Sequence, residues 1–393
     1  MSLNNKIIEI YIKSYKGGGF LIGKKYMKDL IKDEIKSLAP YIAGKPIDEV
    51  KNKYKINRVV KLASNENPYG CSNKVKNIIS KLINSSNLYP DSASCDLKAE
   101  IAKTFNIDKN MIFCGAGSDS LIKDICLTVL NKYDESIMGE VTFPRYESNT
   151  LLVGAIPVKI PMKNNKLDIE KMVEAITDKT KVIWFCNPNN PTGTIFTEKE
   201  FISIVNKIPK DVLIVMDEAY GEFVETNQFP DTLNLIKSHK NIILLKTFSK
   251  AYGLASLRVG YGIGDIEFVQ YINRVINAFD LTLYGQKAAV EALKDKDFLE
   301  YATKNNSLQR EYLKKELKKL GLEYLDTHAN FIMINIKGND KKIYEYLLKK
   351  GFIIRPGFLL GMPGWIRVSI GLEDDNKEFI KLLGEAIKNK VNS

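Results

Sequence analysis

The chain has 393 residues, 45% of them hydrophobic and 27% charged, which is typical of a globular protein with room for two domains. Its net charge is +11, and the excess lysine lies on predicted helix faces such as LKKELKKL (313–320). No zinc pattern or basic arm accompanies this charge, so nucleic-acid binding is disfavoured. The longest apolar strings, such as VLIVM (212–216), are strand-sized and no signal peptide is evident, so we expect a cytoplasmic protein without membrane contact.

Cysteine and histidine usage restricts the possible chemistry. The five cysteines are widely spaced and form no C-x-x-C, which argues against a disulfide framework or a zinc site, and no metal is expected. There are two histidines, His239 and His328, and neither lies in a recognisable motif. If the protein is an enzyme, a group other than histidine moves protons.

The central part of the chain alternates between predicted strands and helices. NMIFCGAGSDSLIKDICLTVL (110–130) is typical of a strand, a glycine turn and a helix. Three runs typical of fully buried strands follow at intervals of about thirty residues, the length of a βαβ unit: KVIWFC (181–186), VLIVMD (212–217) and NIILLK (241–246). TEKEFISIVNKI (197–208) opens with a capping box and continues with helical periodicity. The pattern predicts an α/β domain with a mostly parallel, doubly wound sheet, whose ligands bind beyond the carboxyl ends of the strands.

The C-terminal part differs in composition and in the order of its predicted elements. From about residue 287, lysine-rich helices surround strand-like NFIMINI (330–336), and FIIRPG and WIRVSI precede a closing helix, which predicts a smaller α+β domain. The first residues fit neither domain, and their GGG (17–19) suggests flexibility. The predicted division is an N-terminal extension (1–26), an arm with part of the small domain (27–84), a large domain (85–286) and a C-terminal small domain (287–393).

Polar motifs stand where the predicted strands end. GAGSD (115–119) offers backbone N–H groups and a helix dipole to a phosphate. NPNNPTG (187–193) is a rigid loop with amide donors. DEAY (217–220) places a carboxylate at the end of an apolar strand, where it needs a cation or a donor, and a tyrosine three residues on can share its face. KTFSKAYGLASLRVG (246–260) places Lys250 eight residues before Arg258.

One ligand accounts for all of these motifs, although each alone is also explained by an ordinary turn, cap or ion pair. An aldehyde requires a lysine amine, a ring nitrogen requires a carboxylate, a phenolic oxygen requires donors, and a phosphate requires a helix terminus with an arginine. The ligand with these groups is pyridoxal phosphate.

From about Leu38 to the C-terminus the chain resembles the fold-type I pyridoxal-phosphate-dependent aminotransferases, and within them the histidinol-phosphate aminotransferase family. Beside the motifs above, the resemblance lies in APYIAGKP (39–46), KLASNENPYG (61–70), YPD (89–91), ANF (329–331), GFIIRPG (351–357) and IRVSIG (366–371). It implies a homodimeric enzyme with an α/β large domain and an α+β small domain, acting on amino compounds and 2-oxoglutarate in histidine biosynthesis.

The resemblance also implies roles around the cofactor. Lys250 would bind the cofactor aldehyde and later move a proton, and Asp217 would pair with the ring nitrogen. Tyr220 and Asn187 would bind the phenolic oxygen, and Phe143 would stack on the ring. The residues implied at the phosphate are Gly117, Ser118, Asp119, Ser249 and Arg258, with Tyr89 from the neighbouring subunit.

The resemblance implies further residues at the substrate. Arg367 would bind the carboxylate of the amino donor, and Arg355 would help to receive the substrate phosphate. Tyr41, Glu66 and Asn330 match positions at the substrate entrance.

One segment departs from the family pattern. Where relatives have Pro-aromatic-Asn followed by Val/Thr-Asn, this chain has AFDLT (278–282), and this departure leaves the substrate open. Two alternatives on the same scaffold are an aromatic amino-acid aminotransferase and a threonine-phosphate decarboxylase. A non-catalytic pyridoxal-phosphate sensor is disfavoured because residues 1–26 are too short for an appended DNA-binding domain.

Overall fold

The computed structural model of the chain describes residues 27–36, 38, 40, 42 and 44–391. The predicted N-terminal extension and the predicted substrate residue Tyr41 lie outside the described residues. The strands, numbered along the described chain, are β1 (Val60–Lys61), β2 (Ile112–Gly115), β3 (Glu135–Gly139), β4 (Ile156–Ile160), β5 (Thr180–Cys186), β6 (Leu213–Asp217), β7 (Ile242–Thr247), β8 (Gly260–Ile263), β9 (Glu323–Tyr324), β10 (Phe331–Asn335), β11 (Phe352–Ile353), β12 (Arg355–Pro356) and β13 (Trp365–Ser369).

Helices alternate with the strands through the middle of the chain and dominate the C-terminal part. They are α1 (Asp33–Lys36), α2 (Ile47–Tyr54), α3 (Asn73–Leu82), α4 (Cys95–Phe105), α5 (Ser118–Val129), α6 (Arg145–Leu152), α7 (Ile169–Glu174), α8 (Glu198–Val205), α9 (Thr232–Ser238), α10 (Ile266–Ile272), α11 (Leu283–Leu293), α12 (Lys296–Lys319), α13 (Asp340–Lys349) and α14 (Glu373–Lys388). In the described part of the chain, none of them is long and apolar enough to cross a membrane.

The large sheet has seven strands in the order β2-β8-β7-β6-β5-β3-β4. All neighbouring strands are parallel except β8, which is antiparallel to β2 and to β7. Every residue of β6 and β7 is buried, as their apolar runs predict for strands covered on both faces. The α/β fold with a mostly parallel sheet is therefore confirmed.

Local sequence signals explain how the helices of this domain begin. The side chain of Thr197 accepts from the Glu200 N–H and the Glu200 carboxylate accepts from the Thr197 N–H, which is the predicted capping box before α8. α5 begins at Ser118, directly after Gly117, whose φ of +84° is in a region that favours glycine. The glycine turn and helix predicted from GAGSD are both present.

The smaller sheet is antiparallel in the order β12-β13-β10-β9. Its core includes Leu317 of α12 and Phe379 of α14. Residues from far upstream join it, because β1 pairs in parallel with β11 and Leu62 belongs to the same buried cluster. The C-terminal α+β unit thus contains part of the segment before residue 84, while the domain bounds given above stay a prediction.

This topology gathers functional groups at one edge of the large sheet. β5, β6 and β7 run in parallel, so their carboxyl ends, Cys186, Asp217 and Thr247, reach the same edge. The smaller sheet faces this edge with two arginines, because Arg355 of β12 is the register partner of Arg367 of β13.

The turn that follows β7 depends on a glycine at position 253. Gly253 has φ +72°, and a Cβ there would lie 1.8 Å from the carbonyl oxygen of Gly70. We expect Gly253→Ala to lower the free energy of unfolding by about 3 kcal/mol, since it combines left-handed strain with a backbone clash. Urea denaturation would measure the change.

The control is Gly321→Ala, because Gly321 has φ +67° but nothing within 4 Å of its added Cβ. It isolates the conformational cost, which is about 1 kcal/mol. Equal losses in the two variants would contradict the proposed clash.

Candidate active site

A cavity of about 200 Å³ lies at the carboxyl edge of the large sheet. Its walls come from the strand ends of the large sheet, from residues 63–65 and from the arginine pair of the smaller sheet. Most of the residues predicted from the sequence line it: Ser118, Asp119, Phe143, Asp217, Tyr220, Ser249, Lys250, Arg258, Arg355 and Arg367. Residues as far apart in the chain as Gly44 and Arg367 thus share one cavity.

The amine of Lys250 is partly buried and its hydrogen-bond partner is a neutral group. Its Nζ donates to the carbonyl oxygen of Ser64 at 3.0 Å and lies 5.8 Å from the centre of the Tyr220 ring. Burial, followed by the positive charge of Arg367, lowers the pKa of Lys250 to about 8. A considerable share of this amine is therefore neutral and nucleophilic near physiological pH.

The carboxylate of Asp217 is 3% exposed and is held by neutral donors. Its Oδ2 accepts from the Tyr146 hydroxyl at 2.6 Å, and its Oδ1 accepts from the Ala219 N–H at 3.1 Å. Burial raises the pKa of Asp217, because the charged form loses its hydration. Tyr146 is itself fixed by stacking on Trp184, with ring centres 4.8 Å apart. A cationic ligand atom at this position would offset the cost of the buried charge.

Tyr220 and Asn187 occupy different environments. Tyr220 lines the cavity, and its hydroxyl oxygen accepts from the Nδ2 of Asn65 at 3.0 Å. Asn187 is buried, and its side-chain amide both donates to and accepts from the backbone of Phe196 at 3.2 Å. The cavity wall does not include Asn187, and its contact with a phenolic oxygen stays a prediction.

Arg258 and the glycine turn before α5 form a concave cradle. A Cβ at Gly117 would lie 2.6 Å from Nη2 of Arg258, so the close approach of the guanidinium requires glycine. The Nη1 of Arg258 donates to Ala255 O at 3.2 Å and to Ser249 Oγ at 3.5 Å. Backbone N–H groups at the start of α5 and a guanidinium are the donors that bind phosphate.

Asp119 is the predicted phosphate-site residue with a charged partner. Its carboxylate accepts a hydrogen bond from Arg145 Nε at 2.5 Å, so the side chain already has a partner. The group predicted to bind phosphate is the backbone N–H of Asp119 at the start of α5.

The arginine pair forms the opposite wall. Both guanidinium groups are buried, with Arg355 6% and Arg367 7% exposed. Arg367 donates to Asn190 Oδ1 at 2.5 Å and to Ala63 O at 2.9 Å, and it lies over the ring of Phe331. A second cavity of about 300 Å³ adjoins the first and shares both arginines. Two buried like charges on opposing strands are unfavourable unless anions balance them.

Other predicted residues lie outside the cavity wall. Glu66 forms an ion pair with Lys61 at 2.8 Å, and Asn330 donates from Nδ2 to Asn65 O at 3.0 Å. Tyr89 is 82% exposed and stacks on Phe279, with ring centres 4.7 Å apart. Their roles at the substrate or at a neighbouring subunit stay predictions.

The AFDLT segment contacts the turn of the phosphate cradle at Ala116. The Oδ2 of Asp280 accepts from the Ala116 N–H at 2.7 Å, and Ala116 O accepts from Arg258 Nη2 at 3.4 Å. Asp280 therefore holds the turn that carries the predicted phosphate donors.

The donor set fits an aromatic phosphate ester that carries an aldehyde and a protonated ring nitrogen. The cradle would be filled by a Cβ at Gly117, and the neutral share of the Lys250 amine can attack a carbonyl. The buried carboxylate of Asp217 is suited to a pyridinium nitrogen, and no other common cofactor needs this combination. Fold and donor set together define a pyridoxal-phosphate-type site.

Comparison with known proteins identifies the family. The model of the family described as aminotransferase class I and II matches residues 57–383, and the chain belongs to this family. A histidinol-phosphate aminotransferase of Caldicellulosiruptor saccharolyticus is 41% identical to it over 91% of this chain and 100% of that protein. One of Bacillus subtilis strain 168 is 39% identical over 91% of this chain and 99% of that protein.

Solved structures share the fold. The crystal structure of histidinol-phosphate aminotransferase from Sinorhizobium meliloti, in complex with pyridoxal-5'-phosphate, has a TM-score of 0.84, with 24% identity over 92% of this chain and 98% of that one. Aspartate aminotransferase from Thermus thermophilus with maleate has a TM-score of 0.77, with 19% identity over 92% of this chain and 99% of that one. These likenesses confirm the predicted fold-type I architecture.

Sequence reasoning missed several residues that hold the site. Tyr146 binds Asp217, Asn65 binds Tyr220, Asn190 binds Arg367, and the Ser64 carbonyl binds Lys250. Asn65 and Asn190 lie inside motifs that the sequence singles out, SNENPYG and NPNNPTG, so a signal for them existed. Tyr146 carries no such signal, because it lies in none of these motifs.

The lowered pKa of Lys250 predicts its reactivity. In cofactor-free protein, we expect the rate of Lys250 labelling by a small amine reagent to rise with pH, with a midpoint near pH 8, because only the neutral amine reacts. At pH 7 roughly 10% of this amine is neutral, against roughly 0.04% for an ordinary lysine. Peptide mapping by mass spectrometry would measure the labelled fraction of Lys250 at each pH.

The control is Arg367→Gln. Its positive charge contributes to the lowered pKa of Lys250, so its removal should shift the midpoint to higher pH. A midpoint above pH 10 in the unaltered protein would contradict the assigned environment of the amine.

Proposed function

We propose that the protein is a pyridoxal-phosphate-dependent histidinol-phosphate aminotransferase. It would convert imidazole acetol phosphate and L-glutamate to L-histidinol phosphate and 2-oxoglutarate, in histidine biosynthesis. Its family and its relatives named histidinol-phosphate aminotransferase support the reaction class. The observation that carries the substrate is the buried pair Arg355 and Arg367 on the wall of the cavity that contains Lys250.

Bound pyridoxal phosphate supplies a ring that accepts electrons from the substrate α-carbon. Asp217 holds the proton of the ring nitrogen, and Tyr146 and the Ala219 N–H keep this carboxylate in place. Phe143 would pack on the face of the ring, and Tyr220 and Asn187 would bind its phenolic oxygen. The groups proposed to hold the phosphate are the backbone at Gly117, Ser118 and Asp119, Ser249 and Arg258.

Lys250 would hold the cofactor through its amine and would then move a proton at the substrate α-carbon. This role requires an amine that is neutral part of the time, and the pKa of about 8 for Lys250 meets it. Neither histidine lines the cavity, so Lys250 is the proposed base.

The two half-reactions require one site to receive different anions. A guanidinium binds carboxylate and phosphate alike in a bidentate manner, so Arg367 is proposed for the carboxylate of glutamate and Arg355 for the phosphate of the second substrate. An aromatic amino-acid aminotransferase needs one arginine for the substrate and an apolar pocket, whereas the cavity wall here presents Arg355 and Arg367 in addition to Arg258 of the cradle. Tyr41, Glu66 and Asn330 are proposed at the substrate entrance.

We further propose that the enzyme is a cytoplasmic homodimer. The exposed Tyr89 and the Phe279 ring beneath it form an apolar patch on the single chain. Aromatic residues of this kind are enriched at interfaces between subunits. In this proposal Tyr89 completes the cofactor phosphate site of the neighbouring subunit.

The substrate is tested by comparing kcat/KM for histidinol phosphate, phenylalanine and tyrosine, with threonine phosphate assayed for CO₂ release. We expect histidinol phosphate to be preferred by tenfold or more, which is about 1.4 kcal/mol of transition-state stabilisation. A preference for aromatic amino acids, or CO₂ release from threonine phosphate, would contradict the proposal.

Arg355→Leu should lower kcat/KM for histidinol phosphate by about tenfold or more beyond its effect on the glutamate half-reaction, because a charged hydrogen bond to phosphate is lost. Arg274→Leu is a suitable control, since Arg274 is exposed and stacks on Tyr271 outside the cavity. Single-turnover kinetics separate the two half-reactions.

The composite site is tested by mixing two inactive variants, Lys250→Ala and a Tyr89 variant that has lost activity. Half of randomly mixed dimers are hybrids with one intact site, so about a quarter of wild-type activity should return. Activity no greater than the sum of the separate variants, or a fully active monomer in sedimentation, would exclude the shared site.

A further inference from the structure

A buried chain of hydrogen bonds connects the smaller sheet to the hydroxyl group of Tyr220. It consists of Ser369 at the end of β13, Asn65 in the segment after β1, and Tyr220 after β6. Their exposed fractions are 3%, 1% and 4%. Since water does not reach these groups freely, the direction of each hydrogen bond depends on the protein partners.

The backbone fixes the direction at Ser369. The Asn65 N–H donates to Ser369 Oγ at 2.8 Å, so this oxygen is an acceptor in that bond. The Ser369 hydroxyl then donates to Asn65 Oδ1 at 3.1 Å. If the amide were turned over, the hydroxyl of Ser369 would face an N–H group and lose the Oδ1 acceptor that it has here, which is unfavourable for a buried group.

The amide orientation in turn fixes the direction at Tyr220. With Oδ1 taken by Ser369, the Nδ2 of Asn65 faces Tyr220 and donates to its oxygen at 3.0 Å. Asn65 has a left-handed φ of 55°, and its carbonyl accepts from the Nδ2 of Asn330 at 3.0 Å, which holds the residue in place. The Tyr220 oxygen is therefore an acceptor on the Asn65 side, and its own hydrogen is directed elsewhere.

We propose that Asn65 and Ser369 are positioning residues that orient the Tyr220 hydroxyl as a hydrogen-bond donor into the cavity, towards the phenolic oxygen of the cofactor. The inference rests on the proposed function, because that function places the phenolic oxygen beside Tyr220. Tyr220 lines the cavity, and the Lys250 Nζ lies 5.8 Å from its ring centre. Without the chain, the hydroxyl is free to donate to an amide oxygen at position 65 instead.

The orientation has a spectroscopic consequence. A donor to an anionic oxygen stabilises its charge and lowers its affinity for a proton. The cofactor linked to Lys250 carries a proton shared with its phenolic oxygen, and the visible absorption band changes when this proton leaves. Loss of the Tyr220 donor should therefore raise the pH midpoint of the band.

The test is a pH titration of the visible band of the holoenzyme. We expect Asn65→Asp to raise the midpoint by about 1 pH unit, because a carboxylate only accepts and takes the Tyr220 hydrogen for itself. Tyr220→Phe should raise it by a similar amount. The double variant should shift by less than the sum of the single shifts, since both remove the same donor.

A neutral variant separates orientation from charge. Ser369→Ala removes the hydroxyl that fixes the Asn65 amide and adds no charge. It should raise the pH midpoint by a smaller amount than Asn65→Asp. In the Tyr220→Phe background, Ser369→Ala should leave the midpoint unchanged. Asn164→Asp is the matched control, because Asn164 is exposed and has a similar φ of 52°, and it should not shift the midpoint.

The outcomes distinguish this inference from the function on which it rests. Fully additive shifts of Asn65→Asp and Tyr220→Phe, or an unchanged midpoint in Ser369→Ala, would overturn the orienting role while leaving the aminotransferase intact. If the aspartate variant does not fold, the Ser369→Ala pair decides alone. A wild-type protein that shows no visible band with pyridoxal phosphate would overturn the proposed function itself.

Discussion

The active site depends on the removal of water from two oppositely charged groups that do not pair with each other. Burial lowers the pKa of Lys250 and raises that of Asp217, as desolvation does for a cation and an anion. The observed hydrogen-bond partners of both groups are neutral: a carbonyl oxygen for Lys250, and a hydroxyl and a backbone N–H for Asp217. A direct ion pair would have satisfied both charges and left neither for a ligand. The neutral partners keep them available.

The same strands also bury a second set of charges, and the sheet keeps the two sets apart. Lys246 of β7 lies 3.0 Å from Glu222 and 3.7 Å from Glu218, and burial raises the pKa of Glu218 to about 7. Asp217 and Glu218 are adjacent in DEAY, yet Asp217 lines the cavity and Glu218 meets Lys246. Successive side chains of an extended segment point to opposite faces. Two consecutive acids at a strand end therefore serve two separate tasks.

How much of this could be read from the sequence depends on the range of the interaction. The buried strands, the capping box at Thr197 and the turn at Gly117 were predictable because their signals lie within a few residues. The partners of the site were not, since Asn65 and Ser369 are 304 residues apart. Asn187 illustrates the limit: its motif predicts a donor at the crevice, which stays a prediction, but the two hydrogen bonds between its amide and the backbone of Phe196 have no signal in the motif.

The AFDLT segment departs from the family pattern near the expected substrate site, but its contact lies at the predicted phosphate site. Its resemblance to a substrate-proximal segment directs attention to the substrate, but the Asp280 carboxylate accepts from the Ala116 N–H behind the phosphate cradle. A negative charge there would repel a phosphate bound at the cradle, whereas the hydrogen bond stabilises the turn that carries the predicted phosphate donors. The Ser120 hydroxyl lies 3.4 Å from Asp280 Oδ2 and 3.4 Å from Oδ2 of the buried Asp124, and it can donate to one of them at a time. The pKa of Asp124 is raised to about 6, mainly by burial. The turn of the cradle is thus held by the Asp280 carboxylate at Ala116 N–H and by Arg258 at Ala116 O. If the cradle binds phosphate as proposed, its affinity would depend on the balance of the Asp280 and Arg258 charges as well as on the glycine turn.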